Sequence, residues 1–202
     1  MMPIEKNPFT IRLGGLGGQG NIKMGLILAK SLTYDKKWVV QTQHYGAQVR
    51  GGVAYSDVLF CDDPIDFPIA YNFNVLYMMD QTPLNSFFHL LKPNGVLICD
   101  STFIKNVHIN VRRITKKILV YPVTEICRDK FGLPVLANVL GLGILQKATN
   151  IVSIDALKQT IREEVPEKFV DLNMEAFEYG QKLCDKCYPL KEEKKYTPIN
   201  FE

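Results

Sequence analysis

Two uninterrupted apolar runs constrain this chain most: "NVLYMMD" at 74–80 and "GVLICD" at 95–100. Neither alternates apolar with polar residues, as a strand with one wet face would. Both read as strands covered on two faces, and each closes on an aspartate. Another strand, "FTIRLGG", runs directly into clustered glycines. The stretch "QGNIKMGLILAKSLT" (19–33) follows, with Ile22, Leu26, Ala29 and Leu32 at helical spacing. "WVVQTQ" (38–43) and "ILVYPV" (118–123) are further strands, while the mixed polarity of "VAYSDVLF" (53–60) predicts a less buried one. "PLNSFFHLL" has helical character, with Pro83 in its first turn and "KPNG" closing it.

Beyond residue 123 the pattern turns helical. "PVLANVLGLGILQKA" sets Ala137 and Gly141 four apart, a spacing that lets another backbone approach closely. Ser153 caps a helix with Ile154, Leu157, Ile161 and Val165 on one face, ended by Pro166. A last helix puts Phe169, Leu172, Ala176 and Leu183 on one stripe. The expected architecture is α/β: a three-layer, Rossmann-like open sheet, mostly parallel, with helices on both faces and a helical C-terminal region. With no repeat and no linker, residues 1–190 read as one domain and 191–202, carrying "KEEKK", as a charged tail.

A formal net charge of +3 from 24 basic and 21 acidic residues is too slight to argue for nucleic acid. The longest apolar run, 133–145, falls short of the roughly 20 residues a membrane span needs and contains an asparagine. No export signal is read at the N-terminus, and five scattered cysteines fit a reduced, cytoplasmic protein.

Chemistry concentrates in two loops. In "GGLGGQGNIKMG" (14–25), Gly15, Gly17 and Gly20 match G-x-G-x-x-G. Backbone N–H groups at a helix N-terminus suit an anion or a phosphate. A dinucleotide would also need an acid ending the next strand, to hold the ribose hydroxyls. Gln41 and Gln43 stand there instead, and Asp35 precedes the strand. The glycines could equally serve only a tight turn. In "QTQHYGAQVRGGVAYSDV" (41–58), Gly46 bends the chain, Arg50 offers a guanidinium fork for phosphate or carboxylate, and Gly51 and Gly52 bend it again. Alternatively Arg50 pairs with an acid such as Asp57, with Tyr45 covering the core.

Other side chains carry less. His44, His89 and His108 are too scattered for a metal triad, and His44 alone sits in a candidate loop. Asp80 and Asp100 could pair as carboxylates but suit turn caps better. Cys99 lies in an apolar run, as an inert small hydrophobe. "CDKC" (184–187) supplies two of the four thiolates an iron–sulfur cluster needs.

In order and spacing, "IRLGGLGGQGNIKMGLILAK", "VVQTQHYGAQVRGGVAYSDVLFCDDPIDFP", "NVLYMMDQTPLNSFFHLLKPNGVLICDS", "LANVLGLGIL" and "VPEKFVDLNMEAFEYG" resemble the gamma subunit of 2-oxoacid:ferredoxin oxidoreductases. The likeness covers about residues 9–182, and Q-T-Q-x-Y-G with R-G-G is closest to the 2-oxoglutarate type. The family loop commonly reads S-Y-G-P-E-A-R-G-G, where this chain carries His44, Ala47, Gln48 and Val49. The resemblance implies oxidative decarboxylation of 2-oxoglutarate to succinyl-CoA, CO2 and reduced acceptor; pyruvate and branched-chain 2-oxoacids are the alternatives.

It further implies thiamine diphosphate, Mg2+ and iron–sulfur clusters in the complex, with none on this chain, which would be inactive alone. The implied partners are alpha and beta subunits, a ferredoxin-like delta subunit, CoA, and ferredoxin or flavodoxin as acceptor. Gly17, Gly18, Gln19, Gly20, Tyr45, Gly46, Arg50 and Gly51 are the residues it points to, for CoA or a subunit interface. A free-standing NAD or flavin enzyme and an ATP-dependent adenylating enzyme are the competing readings.

Overall fold

A computed structural model describes residues 8–46 and 51–189. Six strands form one sheet in the order β2-β3-β1-β4-β5-β6. They are β1 (Phe9–Leu16), β2 (Trp38–Tyr45), β3 (Val53–Cys61), β4 (Phe73–Met78), β5 (Leu91–Asp100) and β6 (Ile118–Tyr121). β1, β4, β5 and β6 are parallel neighbours, and β3 runs antiparallel between β1 and β2. The expected mostly parallel α/β sheet is therefore present, with one reversed strand.

The helices are α1 (Asn21–Tyr34), α2 (Gln81–Phe87), α3 (Val111–Ile114), α4 (Val123–Phe131), α5 (Ala137–Thr149), α6 (Ile154–Glu164) and α7 (Val170–Leu183). One face of the sheet, through Ile11, Leu13, Val75, Tyr77 and Ile98, packs on the core formed with α1, α5, α6 and α7. Phe73, Leu76, Met78 and Leu97 close the other face with Leu84 of α2 and Val111 of α3. Among the described residues no helix is long and apolar enough to cross a membrane.

Local chemistry explains the element ends. The Asp80 side chain accepts from Thr82 N–H at 2.9 Å and starts α2; Ser153 does the same for α6, from Ala156 N–H at 3.2 Å. Pro166 follows α6 and, lacking an N–H, cannot extend it.

Several expectations change. β3 is an interior strand, and its buried polar residues are paired: Ser56 with half-buried Gln41, and Asp57 with buried Arg12. Mixed polarity reflected buried partners, a pattern indistinguishable from exposure in one strand's sequence. β2 continues through His44 and Tyr45, opposite Tyr55 and Ala54, because an antiparallel partner satisfies the backbone whatever the side chains are. "KPNG" belongs to the start of β5, with Asn94 at φ 60°. α4 falls in the stretch read only as helical beyond residue 123, and its left-handed Gly132 end lies at φ 70°.

The close backbone approach within the helical region falls elsewhere than Ala137 and Gly141. A Cβ on Gly143 would lie 2.2 Å from Phe177 O, and one on Gly180 2.1 Å from Leu140 O, so α5 and α7 meet backbone to backbone there. Gly141 faces the Tyr77 side chain instead. Helical phase, which one spacing does not define, decides which small residue faces which neighbour. The proposed boundary between residues 190 and 191, and the charged tail beyond it, lie outside the described residues.

Candidate functional site

β1 delivers the chain to the carboxyl edge of the sheet, where Gly17 and Gly18 turn it and Gln19 and Gly20 lead into α1. Gly18 and Gly20 adopt φ of 100° and 82°, left-handed conformations that a side chain would strain. Gln19 holds the loop together. Its Oε1 accepts from Leu16 N–H at 2.7 Å, its Nε2 reaches Met79 O at 3.4 Å, and its own N–H donates to Leu16 O at 3.1 Å. Asn21, buried at the first turn of α1, donates from Nδ2 to Ala54 O at 2.5 Å.

The second loop is the β2–β3 hairpin, and the two loops touch. Gly17 N–H donates to Gly52 O at 2.9 Å, and a Cβ added to Gly17 would make an ordinary contact with Gly51 N at 3.7 Å. Gly51 is left-handed at φ 79°, and among the described residues no atom lies within 4 Å of an added Cβ. Gly46 fits beneath Val53, whose carbonyl would lie 2.9 Å from an added Cβ. Tyr45 is exposed, and its hydroxyl donates to Gln43 Oε1 at 3.0 Å.

Of the eight singled-out residues, Gly17, Gly18, Gln19, Gly20, Tyr45, Gly46 and Gly51 thus share one edge of the sheet, on two abutting loops. Arg50, with Ala47, Gln48 and Val49, lies outside the described residues. Gly17 and Gln19 N–H groups are engaged within the chain. Among the described residues, the donors left for an anion are Gly18 N–H and the first-turn N–H groups of α1, which no helical carbonyl reaches.

Beneath the hairpin lies an ion pair absent from the sequence reading. Arg12 of β1 donates to both oxygens of Asp57 of β3, at 2.7 Å each, with both side chains buried. Its guanidinium carbon sits 4.0, 4.3 and 4.6 Å from the ring centres of Tyr55, Phe73 and Phe87, and His44 stacks on Tyr55 at 4.4 Å. Asp57 is therefore the partner of Arg12, while the pairing of Arg50 lies outside the described residues. Asn138 of α5 is the other unforeseen neighbour. It is 7% exposed, and its amide nitrogen would lie 2.8 Å from a Cβ on Gly20. The lone asparagine in "LANVLGLGIL" was the available signal for it.

The geometry disfavours a dinucleotide. The strand that would supply the ribose acid normally lies directly beside the first strand, but β3 occupies that position. Gln41 Nε2 donates to Ser56 Oγ at 3.0 Å, and both Asp35 oxygens accept from Ser153, at 2.7 and 2.6 Å. Asp80 serves its own turn, and Asp100 serves its own turn together with the first turn of α4. Asp100 accepts from Thr102 N–H, Thr124 N–H and the Thr124 hydroxyl at 2.9, 3.0 and 2.5 Å.

Among the described residues no three His, Cys, Asp or Glu side chains converge as a metal would require. Cys184 is buried and Cys187 exposed. Burial, reinforced by the Asp100 charge, pushes the Cys99 and Cys127 thiols up to about 12, which keeps them protonated and unreactive.

A glycine loop and a hairpin joined by a hydrogen bond at the carboxyl edge of a mostly parallel sheet define a Rossmann-like domain. Residues 10–183 match the family described as pyruvate ferredoxin/flavodoxin oxidoreductase, and the chain belongs to that family. It is 35% identical over 175 residues to the 2-oxoglutarate synthase subunit KorC of Methanocaldococcus jannaschii, covering 86% of this chain and 92% of that one. Against the pyruvate/ketoisovalerate oxidoreductases common subunit gamma of Pyrococcus abyssi, identity is 30% over 179 residues, 85% of this chain and 96% of that one. The crystal structure of the keto/oxoacid ferredoxin oxidoreductase gamma subunit from Geobacter sulfurreducens superposes with a TM-score of 0.78. It is 31% identical and covers 87% of this chain and 95% of that one.

Proposed function

We propose that this chain is the gamma subunit of a cytoplasmic, CoA-dependent 2-oxoglutarate:ferredoxin oxidoreductase, in which it receives CoA and helps to close the active site. Greater similarity to a 2-oxoglutarate synthase subunit than to a subunit serving pyruvate and ketoisovalerate supports the substrate. The observation that carries the role is the Gly17–Gly52 hydrogen bond, which makes two glycine-rich loops one surface at the sheet's ligand edge.

On this reading Gly18 N–H and the first turn of α1 meet a CoA phosphate or a pantetheine amide, and Arg50 adds charge. Gly20, Tyr45, Gly46 and Gly51 shape the approach, and Gln19 keeps the loop in register. Docking of this edge against the alpha and beta subunits excludes water from the reaction. Thiamine diphosphate with Mg2+ and the iron–sulfur clusters, carried by the alpha, beta and delta subunits, supply carbanion stabilisation and electron transfer to ferredoxin or flavodoxin. Support for this placement is that, among the described residues, no three cysteine, histidine or carboxylate side chains converge.

The test is CoA-dependent viologen-dye reduction by the assembled complex with 2-oxoglutarate, pyruvate and branched-chain 2-oxoacids. The expected preference is 2-oxoglutarate, with no turnover by the isolated chain. Gly18→Val should raise the KM for CoA at least tenfold and leave the KM for the 2-oxoacid unchanged. An unchanged KM for CoA would overturn the reception role.

A further inference from the structure

The opposite edge of the sheet carries a second unusual surface. The connection from β3 to β4, "DDPIDFPIAYN", passes across the amino end of β1 and is exposed along most of its length. Phe67, Ile69 and Tyr71 are 56%, 55% and 70% exposed, and Trp38, which begins β2 at the same edge, is 56% exposed. The Phe67 and Tyr71 rings stack on each other with centres 6.4 Å apart, while Ala70 between them turns inward onto the second core. Such a concentration of large apolar side chains on one short connection marks an interaction site.

Two further features suit this segment to a partner. Among the described residues, no backbone N–H or C=O of residues 63–71 is bonded within the chain, so these solvated groups can pair with another chain. Pro64 and Pro68 restrict the backbone, which lowers the entropy lost when the segment is immobilised. Charge then selects the occupant. Asp63 and Asp66 accompany the aromatic side chains, Asp62 is paired with Lys37, and the segment contains no Lys or Arg. A second copy docking strip to strip would set these acids against each other, because a twofold contact places the same patch on both sides.

We propose that residues 63–71 form a docking strip for a partner subunit of the same complex, one presenting apolar surface interspersed with Lys or Arg. This rests on the reading of the chain as a subunit. It adds a subunit contact at the amino edge of the sheet, away from the glycine loops, so that assembly does not rest on the CoA-receiving edge alone.

The experiment measures association of the full chain with its partner subunits, and amide hydrogen exchange of residues 63–71 in the chain alone and in the complex. Phe67→Ser combined with Tyr71→Ser should weaken association at least tenfold, with the thermal midpoint of the isolated chain unchanged because both side chains are exposed. Asp63→Asn with Asp66→Asn should flatten the salt dependence of association. Exchange at 63–71 should slow in the complex. Association within twofold of wild type for the double serine variant, or unslowed exchange at 63–71, would overturn the strip alone. A wild-type chain that does not associate with those subunits would overturn the subunit reading and the strip with it.

Discussion

Glycine serves two opposite purposes in the glycine loop and in the α5–α7 contact. At Gly18 there is, among the described residues, no heavy atom within 4 Å of an added Cβ, and the residue is present for its φ of 100°. At Gly143 and Gly180 the backbone is ordinary helix, and the residue is present because a neighbouring carbonyl lies where a side chain would be. The first kind of glycine leaves space for something outside the chain; the second removes space inside it. Substitutions should therefore separate ligand affinity from stability.

The largest expected effect is Gly180→Ala. Its Cβ would meet the Leu140 carbonyl at 2.1 Å, and backbone on both sides must move apart along a contact that α5 and α7 share over much of their length. A loss of about 3 kcal/mol is expected, at the upper end for overpacking a core, measured by denaturant unfolding. In assembled complex that survives, the KM for CoA should be unchanged. Gly20→Ala is smaller and mixed in kind. Its φ of 82° and the Asn138 amide at 2.8 Å together predict a loss of about 1–2 kcal/mol, since a flexible amide can shift where a carbonyl cannot. It should also raise the KM for CoA, because the first turn of α1 follows directly. A stability loss from Gly20→Ala larger than that from Gly180→Ala would reverse the comparison.

The same contrast shows what was legible in the sequence. Apolar runs in β4 and β5, and the strand–glycine–helix order of β1 and α1, are local patterns, and they placed the sheet, its two covered faces and the edge where the loops meet. Contacts between distant segments were not readable. Arg12 and Asp57 are 45 residues apart, and nothing in either strand says that two charges will be buried together under three aromatic rings. Asn138 lies more than a hundred residues from Gly20, and only the fold brings it beneath the loop. Gly143 was passed over for Gly141 because a one-face spacing is compatible with several helical phases, and packing against α7 selects among them. Arg50 was selected for the chemistry of its guanidinium, a kind of evidence independent of where the chain places it.

Gly141 gives a third case, intermediate between the two, and supplies the smallest effect. A Cβ there would lie 2.2 Å from the Tyr77 hydroxyl, a side-chain atom. Tyr77 is fully buried and its hydroxyl is the one buried side-chain polar atom without a hydrogen bond among the described residues. Burial, aided by the nearby Asp100 charge, raises its pKa well above the ordinary tyrosine value, so the group stays a neutral donor with nothing to donate to. An unsatisfied buried hydroxyl costs about 1–3 kcal/mol, and part of that returns as a small void when the oxygen is removed. Tyr77→Phe should therefore raise stability by about 1 kcal/mol, measured by denaturant unfolding, with no change in the KM for CoA. Gly141→Ala should cost less in the Tyr77→Phe background than alone, since the atom it meets first has gone, although the ring carbon at 2.7 Å still resists. A destabilised Tyr77→Phe variant would mean that the hydroxyl has a partner, such as an internal water, and that Gly141 keeps that site open as Gly18 keeps the loop open.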